Sequence, residues 1–417
     1  MIERTIESMT PKASGSDSIA TTATTTVSVE GSHSEQRVER VLIIRLGALG
    51  DVIRTLPAVQ GLRWSYPGAH LTWLVEPGAA GVVDAAGLVD EIMLFPRTSL
   101  VRSIRSKHPV LFLRELRDFI RRLRDRRFDL TIDFHGILKS GMLARLSGAP
   151  IRYGYGPGLA REFSEVFVNR SVRLVEPKTS RYERNSALVR IVAPEIQLPD
   201  QPFLTASSLA EARLVTRLRS SGCENERSFV LIHPGTSEKA LHKRYATRAW
   251  AEVVKRLAGD GIPVWISAGS SPRERALADE VVEQAEGTLV LAPETGGFDD
   301  LLALLARASV FVSADSGPLH AASLVGVPVV QLLGPTDPIQ NAPWAHSPWL
   351  RAHVPLPCSP CRRGCPDPAC MRVIPPALVA RKISQLHGIS HDRSGGDQTS
   401  YRDESRPESA DLLRTSR

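Results

Sequence analysis

The chain has 417 residues, 42% apolar and 23% charged, which suits about two soluble domains and excludes a fibrous or wholly disordered protein. Its five cysteines are too few for a disulfide-built secreted scaffold. Of the net charge of +7, residues 1–37 carry three basic and five acidic groups and residues 388–417 five and six, which leaves +10 on the middle and favours anionic partners: phosphates, nucleotides, nucleic acid or a lipid surface.

Residues 1–37, rich in Ser and Thr, and residues 388–417 show no apolar periodicity and read as disordered tails. No basic stretch followed by an apolar run marks a secretory signal. The longest uncharged apolar stretch, 319–336, is broken by Pro328, Gln331 and Pro335 and does not read as a membrane span. A cytoplasmic protein is expected.

Regular structure begins at Arg40. VLIIRLGALGD reads as a buried strand entering a glycine-punctuated turn, and the following segment places Val52, Ile53, Leu56, Val59 and Leu62 at helical spacing. A strand over 70–76, a helix around 78–86, a short strand over 91–96, a basic helix and a strand over 129–134 follow. A second series starts near Ser228: FVLIHPGTS, PVWISAG, TLVLAP, VFVSADSGP and PVVQLLGP read as strands, with helical segments between them. This alternation predicts parallel sheets covered by helices on both faces, an α/β protein of doubly wound domains. The first spans 38–205, a linker 206–227, the second 228–374, and a closing helix 375–387. A cleft between the two domains is the expected ligand site.

Three strand-end loops carry candidate chemistry. In Leu46-Gly47-Ala48-Leu49-Gly50-Asp51 the glycines permit a tight turn and close approach of a ligand. Asp51 is there a helix cap or a base, and local sequence alone favours the cap. His233-Pro234-Gly235-Thr236-Ser237, with Lys243-Arg244-Tyr245 downstream, offers hydroxyls, amides and a point charge suited to phosphate, or is an ordinary turn with basic neighbours. In Ser313-Ala314-Asp315-Ser316-Gly317-Pro318-Leu319-His320 a strand gives way to a helix whose first amides suit an anion. Asp315 as a cap and His320 as a core histidine are the structural alternatives. Two such loops in one domain favour a phosphate site more than either alone.

Four segments in order, VLIIRLGALGDVIRTLPAV, DLTIDFHGILKSG, HPGTS with KRY downstream, and SADSGPLHAA followed by VPVVQLLGPTDP, make residues 40–386 resemble glycosyltransferase family 9, the heptosyltransferases of the lipopolysaccharide inner core. The resemblance implies a GT-B fold: two Rossmann-like domains across a cleft, the first for the acceptor and the second for the sugar nucleotide, with the helix over 375–387 crossing back to the first. It implies inverting transfer of heptose from ADP-heptose to a lipid A–Kdo type acceptor, with no cofactor required for catalysis. Asp51 then matches the general base, and burial would have to raise its pKa above the ordinary value of about 3.9. Lys243, Thr236 and Ser237 would stabilise the departing diphosphate. Ser316 and Gly317 would offer amides to the pyrophosphate, Asp315 would hold sugar hydroxyls, His320 lies one helical turn beyond, and Glu274 falls near the nucleoside. Gly50 adjoins the base on the acceptor side. Tyr245 departs from the tryptophan of many members. Another nucleotide sugar, a protein acceptor, or a catalytically silent sugar-nucleotide module are the alternatives. No nucleic-acid recognition motif accompanies the charge.

Ten basic residues lie between Arg102 and Arg127, with Phe112, Leu116, Phe119, Ile120 and Leu123 at helical spacing. The apolar side reads as packed on the sheet. The basic side is a candidate contact for a lipid A phosphate or the inner-membrane surface. Arg97, Arg102, His135 and Lys139 are candidate acceptor contacts. Cys358, Cys361, Cys365 and Cys370 form C-x2-C-x3-C-x4-C, which can hold a structural metal or consist of reduced thiols, with no catalytic role in either case.

Overall fold

The computed structural model describes residues 27–28, 38–174, 178–220, 223, 228–269, 271–287, 289–361 and 364–393. The first domain opens with β1 (Val27–Ser28) and β2 (Arg40–Ile44). Every residue of β2 after Arg40 is buried, as expected for a strand covered on both faces. Then follow α1 (Leu49–Ile53), α2 (Leu56–Ser65), β3 (His70–Val75), α3 (Pro77–Ala86), β4 (Glu91–Leu94), α4 (Arg97–Arg105) and α5 (Pro109–Asp125). The domain finishes with β5 (Leu130–Asp133), α6 (Leu138–Leu146), β6 (Ile151–Tyr155), β7 (Arg170–Leu174) and α7 (Arg181–Val192). The strand order is β1-β7-β6-β5-β2-β3-β4, parallel except for β1 against β7.

The second domain comprises α8 (Ser208–Ser220), β8 (Phe229–His233), α9 (Thr247–Gly259), β9 (Val264–Ile266), α10 (Pro272–Gln284), β10 (Val290–Leu291) and α11 (Phe298–Leu305). It continues through β11 (Ala308–Ala314), α12 (Gly317–Val325), β12 (Val329–Leu333), β13 (Trp349–His353), α13 (Ala369–Arg372) and α14 (Pro376–Arg393). Its sheet, β10-β9-β8-β11-β12-β13, is parallel throughout.

Both sheets reverse direction once. In the first, β3 and β4 step away on one side of β2 and β5 returns on the other. In the second, β9 and β10 step away from β8 and β11 returns beside it. The loops at the carboxyl ends of such neighbouring strands diverge and leave a crevice. The three motif loops lie there, after β2, β8 and β11. One apolar cluster joins the domains, running from Val52, Leu56 and Val59 through Leu204 to Leu302, Leu319 and Trp344.

Four expected boundaries differ. The linker 206–227 contains α8, whose Ala210, Leu214 and Leu218 are buried. Its Arg213 and Arg217 pair with Asp300 of α11 at 2.5 and 2.7 Å, so α8 belongs to the second domain. The closing helix does not cross back to the first domain. Val379, Ile383 and Leu386 of α14 are buried with Trp250 and Val254 of α9 and Val312 of β11, because that is where its apolar stripe finds complementary surface. The helix also runs to Arg393, past the expected tail boundary. Within the expected N-terminal tail, Val27 and Ser28 pair with Leu174 and Arg173. The rest of 1–37, and 394–417, lie outside the described residues. Among the described residues no helix is long and apolar enough to cross a membrane.

Candidate active site

The crevices of the two sheets meet where α1 approaches the start of α12. A Cβ on Gly50 would stand 3.4 Å from Gly317 Cα, so glycine at both positions lets the two backbones come together. Asp51 is the third residue of α1. The cap position is Ala48, with no side-chain cap bond, so the carboxylate is not engaged in capping, contrary to the reading favoured by local sequence. It takes ion pairs instead from Arg45 at 2.5 Å, Arg181 at 2.5 Å and Arg54 at 3.0 Å. Arg45 follows β2 and is braced by its Nη1 donating to the Phe134 carbonyl at 2.7 Å. Burial alone would raise the Asp51 pKa, but the guanidiniums of Arg45, Arg181 and Arg54 hold it well below the usual carboxylate range. The expected upward shift is therefore reversed.

Arg54, 6% exposed, continues the network across the domain boundary. Its Nη2 donates to Asp315 Oδ1 at 2.9 Å, and Lys243 Nζ donates to Asp315 Oδ2 at 2.7 Å. Burial opposes ionisation of Asp315, yet the charges of Arg54 and Lys243 beside it keep it far below its ordinary pKa. Arg54 Nε donates to His320 Nε2 at 3.0 Å, and His320 Nδ1 lies 3.2 Å from the Tyr182 hydroxyl. Burial and then the Arg54 charge push the fully buried His320 down to about 4. The neutral ring accepts from Arg54 at Nε2, which assigns its proton to Nδ1 and the bond to Tyr182.

Burial likewise lowers His233 to about 4, and burial with the Arg45 charge lowers His135 to about 3. As pH falls below about 6.5 the unfolded chain takes up protons at these positions before the folded one does. The stability tied to them is complete above that pH and is lost on the way down through the folded values. Melting temperatures should therefore drop steadily from neutral pH towards about 4, and His320→Gln should flatten part of that drop. A level profile would contradict this assignment of neutral buried imidazoles.

In the loop after β8, Thr236 is buried. Its hydroxyl donates to the Ala240 carbonyl at 3.0 Å and accepts from Arg244 Nε at 3.2 Å. Ser237 is exposed and begins the 3-10 turn Glu238–Lys243, which presents Lys243. Ser316 is the N-cap of α12 without a side-chain cap bond, its hydroxyl lying 2.9 Å from that of Ser313. The first amides of α12 thus face the crevice with the helix dipole behind them, an arrangement that favours an anion. Glu274, at the start of α10, lies against Gly269 and Gly235: a Cβ on Gly235 would stand 3.1 Å from its Oε1. Burial raises its pKa. Tyr245 is buried edge-on to Trp250, its hydroxyl donating to the Ile374 carbonyl at 2.7 Å, so the ring packs under the domain.

On the first-domain side, Asp133 ends β5 and pins the loop that carries His135. Its Oδ1 accepts from the His135 and Gly136 amides at 2.8 and 3.2 Å, and its Oδ2 from Ser140 Oγ at 2.8 Å. Burial nevertheless pushes it up to about 6. Lys139 and Arg97 converge on Glu76 at 2.8 and 2.9 Å. Arg102 is exposed on α4 and is not drawn into this group. Sequence reasoning missed Arg45, Arg54, Arg181 and Tyr182. The signal for the first two was the pair of arginines flanking LGALGDVI. Cys358 and Cys365 are exposed, Cys361 is half-buried and Cys370 is buried. Among the described residues no group of three or more His, Cys, Asp or Glu side chains is placed to hold a metal ion.

Two doubly wound domains meeting over a carboxylate ringed by arginines have the architecture of the GT-B class. The chain belongs to glycosyltransferase family 9 (heptosyltransferase), whose sequence profile matches residues 116–368. It is similar to lipopolysaccharide heptosyltransferase 1 of Pseudomonas aeruginosa, 28% identical over 335 residues that cover 77% of this chain and 86% of the relative. It is also similar to lipopolysaccharide heptosyltransferase 1 of Escherichia coli K12, 24% identical over 300 residues, 72% of this chain and 89% of the relative. Solved structures of the same fold include a family 9 glycosyl transferase from Veillonella parvula, with TM-score 0.67, 20% identity and coverage of 84% of this chain and 97% of that one. Escherichia coli heptosyltransferase WaaC with ADP gives TM-score 0.63, 22% identity and coverage of 83% and 99%.

Proposed function

We propose that this chain transfers heptose, with inversion, from ADP-heptose to a lipid A–Kdo type acceptor of the lipopolysaccharide inner core, with Asp51 as general base. The observation that carries the proposal is the continuous network Asp51–Arg54–Asp315–Lys243, which joins the carboxylate of one domain to the strand-end loops of the other. Relatives named as lipopolysaccharide heptosyltransferases, and a similar structure solved with ADP-2-deoxy-2-fluoro heptose, support the choice of donor.

The acceptor hydroxyl gives its proton to Asp51 as its oxygen bonds to the anomeric carbon. On the opposite face the bond from that carbon to the diphosphate oxygen breaks, and the electron pair leaves with ADP. Lys243, Ser237 and the first amides of α12 meet the charge that develops there, and Asp315 holds sugar hydroxyls. A carboxylate clamped by three arginines is a weak base. Anionic groups of the acceptor that engage Arg45 and Arg181 would loosen the clamp and raise the proton affinity of Asp51 at the moment of binding. His320, neutral, holds Arg54 in place through this exchange. The acceptor's lipid anchor brings the reaction to the cytoplasmic surface of the inner membrane.

A thermal-shift panel of nucleotide diphosphate sugars, followed by transfer assays, tests the reading. ADP-heptose should stabilise the chain more than UDP or GDP sugars, and a heptose-free lipid acceptor should gain heptose. Stronger stabilisation by another sugar nucleotide would redirect the donor, and donor binding without transfer would favour a silent module. Lys243→Ala should lower kcat by about 10²–10³ if the lysine acts on the leaving group in the transition state. A change confined to the KM for donor would limit it to ground-state binding.

A further inference from the structure

The helices α4 and α5 form a hairpin outside the network Asp51–Arg54–Asp315–Lys243. Three residues, Ser106 to His108, join them, and Ser103 Oγ donates across to Glu115 Oε2 at 3.0 Å. The 17 residues of α5 extend for about 25 Å. Its buried side chains, Phe119 and Leu123, both lie in the second half, and α4 buries only Leu100 and Ser103. The tip of the hairpin therefore projects past the sheet. It exposes Val101, Ile104, Val110, Leu111 and Leu113, with Val110 at 79% and Leu113 at 62%. Around these stand Arg102, Arg105, Lys107, Arg114 and Arg117, all exposed, and among the described residues none of the five is in an ion pair.

We propose that the α4–α5 tip is a docking surface for an anionic phospholipid bilayer: the apolar side chains enter the boundary between head groups and acyl chains, and the ring of cations binds the phosphates. Nucleic acid would use the cations and leave the apolar residues in water. The tip also lies on the correct side of the domain. α4 starts at Arg97, bound to Glu76 at the carboxyl end of β3, the same end of the sheet that carries Asp51. Docking there presents the acceptor side of the crevice to the membrane. This role rests on the lipid-anchored acceptor proposed above, but lipid binding itself can be measured without it.

The test is co-sedimentation of the full chain with vesicles of phosphatidylglycerol and phosphatidylcholine, and with vesicles of phosphatidylcholine alone. Binding is expected to the mixed vesicles only and to weaken as salt rises. A combined Ile104→Gln, Val110→Gln, Leu113→Gln variant should lose about tenfold or more in partitioning, since each exposed side chain forfeits apolar burial in lipid. Arg105→Gln, Lys107→Gln, Arg114→Gln together should bind weakly and lose most of the salt dependence. Both variants should melt as the parent does, because the side chains are exposed. Absence of binding by the parent, or unchanged binding by either variant, overturns the proposal. So does self-association of the parent that the apolar variant abolishes while vesicles are ignored. Transfer to a soluble heptose-free acceptor should persist in the apolar variant. Its absence in the parent as well would sink the functional reading while leaving the vesicle result standing.

Discussion

Asp51→Asn should lower heptose transfer by about 10³-fold, with ADP-heptose affinity changed by less than about twofold. The amide keeps the shape of the side chain but cannot take the acceptor's proton, and the donor loops belong to the other domain. The substitution also leaves Arg45, Arg54 and Arg181 around a neutral group. Removing one partner of a buried ion pair destabilises by about 3–5 kcal/mol. Asp51 is 20% exposed at the side chain, so the lower end applies. The checks are steady-state kinetics, calorimetric donor titration and a melting curve on the same preparation. Full transfer by the variant would remove Asp51 from the chemistry, and joint loss of transfer and donor binding would point to general disruption.

Arg54→Leu should have the second large effect, and on both domains. One guanidinium serves Asp51, Asp315 and His320. Without it Asp315 keeps Lys243, but His320 Nε2 loses its donor and Asp51 loses the link across the boundary. A destabilisation of about 3 kcal/mol is expected, together with weaker donor binding because Asp315 is no longer fixed. Arg54→Lys restores the charge without the fork geometry, and one ammonium cannot reach all three partners. Its melting temperature and donor affinity should fall between those of the parent and the leucine variant. If Arg54→Leu matched the parent in both, the network would be incidental to closure of the site.

Residues of the site that lie in single strand-end loops were legible in the sequence. Asp51, Asp315 and Ser316 each sit just after a buried strand stops and a glycine- or hydroxyl-rich turn begins, Lys243 closes the 3-10 turn of the loop after β8, and the parallel sheet order brings those strand ends together. Arg181 was not legible. It lies 130 residues from Asp51 in sequence, and only the packing of α7 brings it there. The protonation of Asp51 was misjudged for the same reason. Burial can be anticipated from a strand-end loop, whereas three guanidiniums from separate places cannot. The apolar stripe of α14 showed that the helix needs a partner surface but not which domain supplies it. The i, i+4 spacing of Ala210, Leu214 and Leu218, all buried in α8, is the signal that the reading of 206–227 as a linker passed over.

Inverting transfer requires direct attack at the anomeric carbon, with the base on one domain and the leaving group on the other. Nuclear magnetic resonance of the product made by the purified chain from ADP-heptose and a heptose-free lipid acceptor reads this outcome. The new glycosidic bond should have the anomeric configuration opposite to that of the donor. Retained configuration would contradict a single displacement promoted by Asp51.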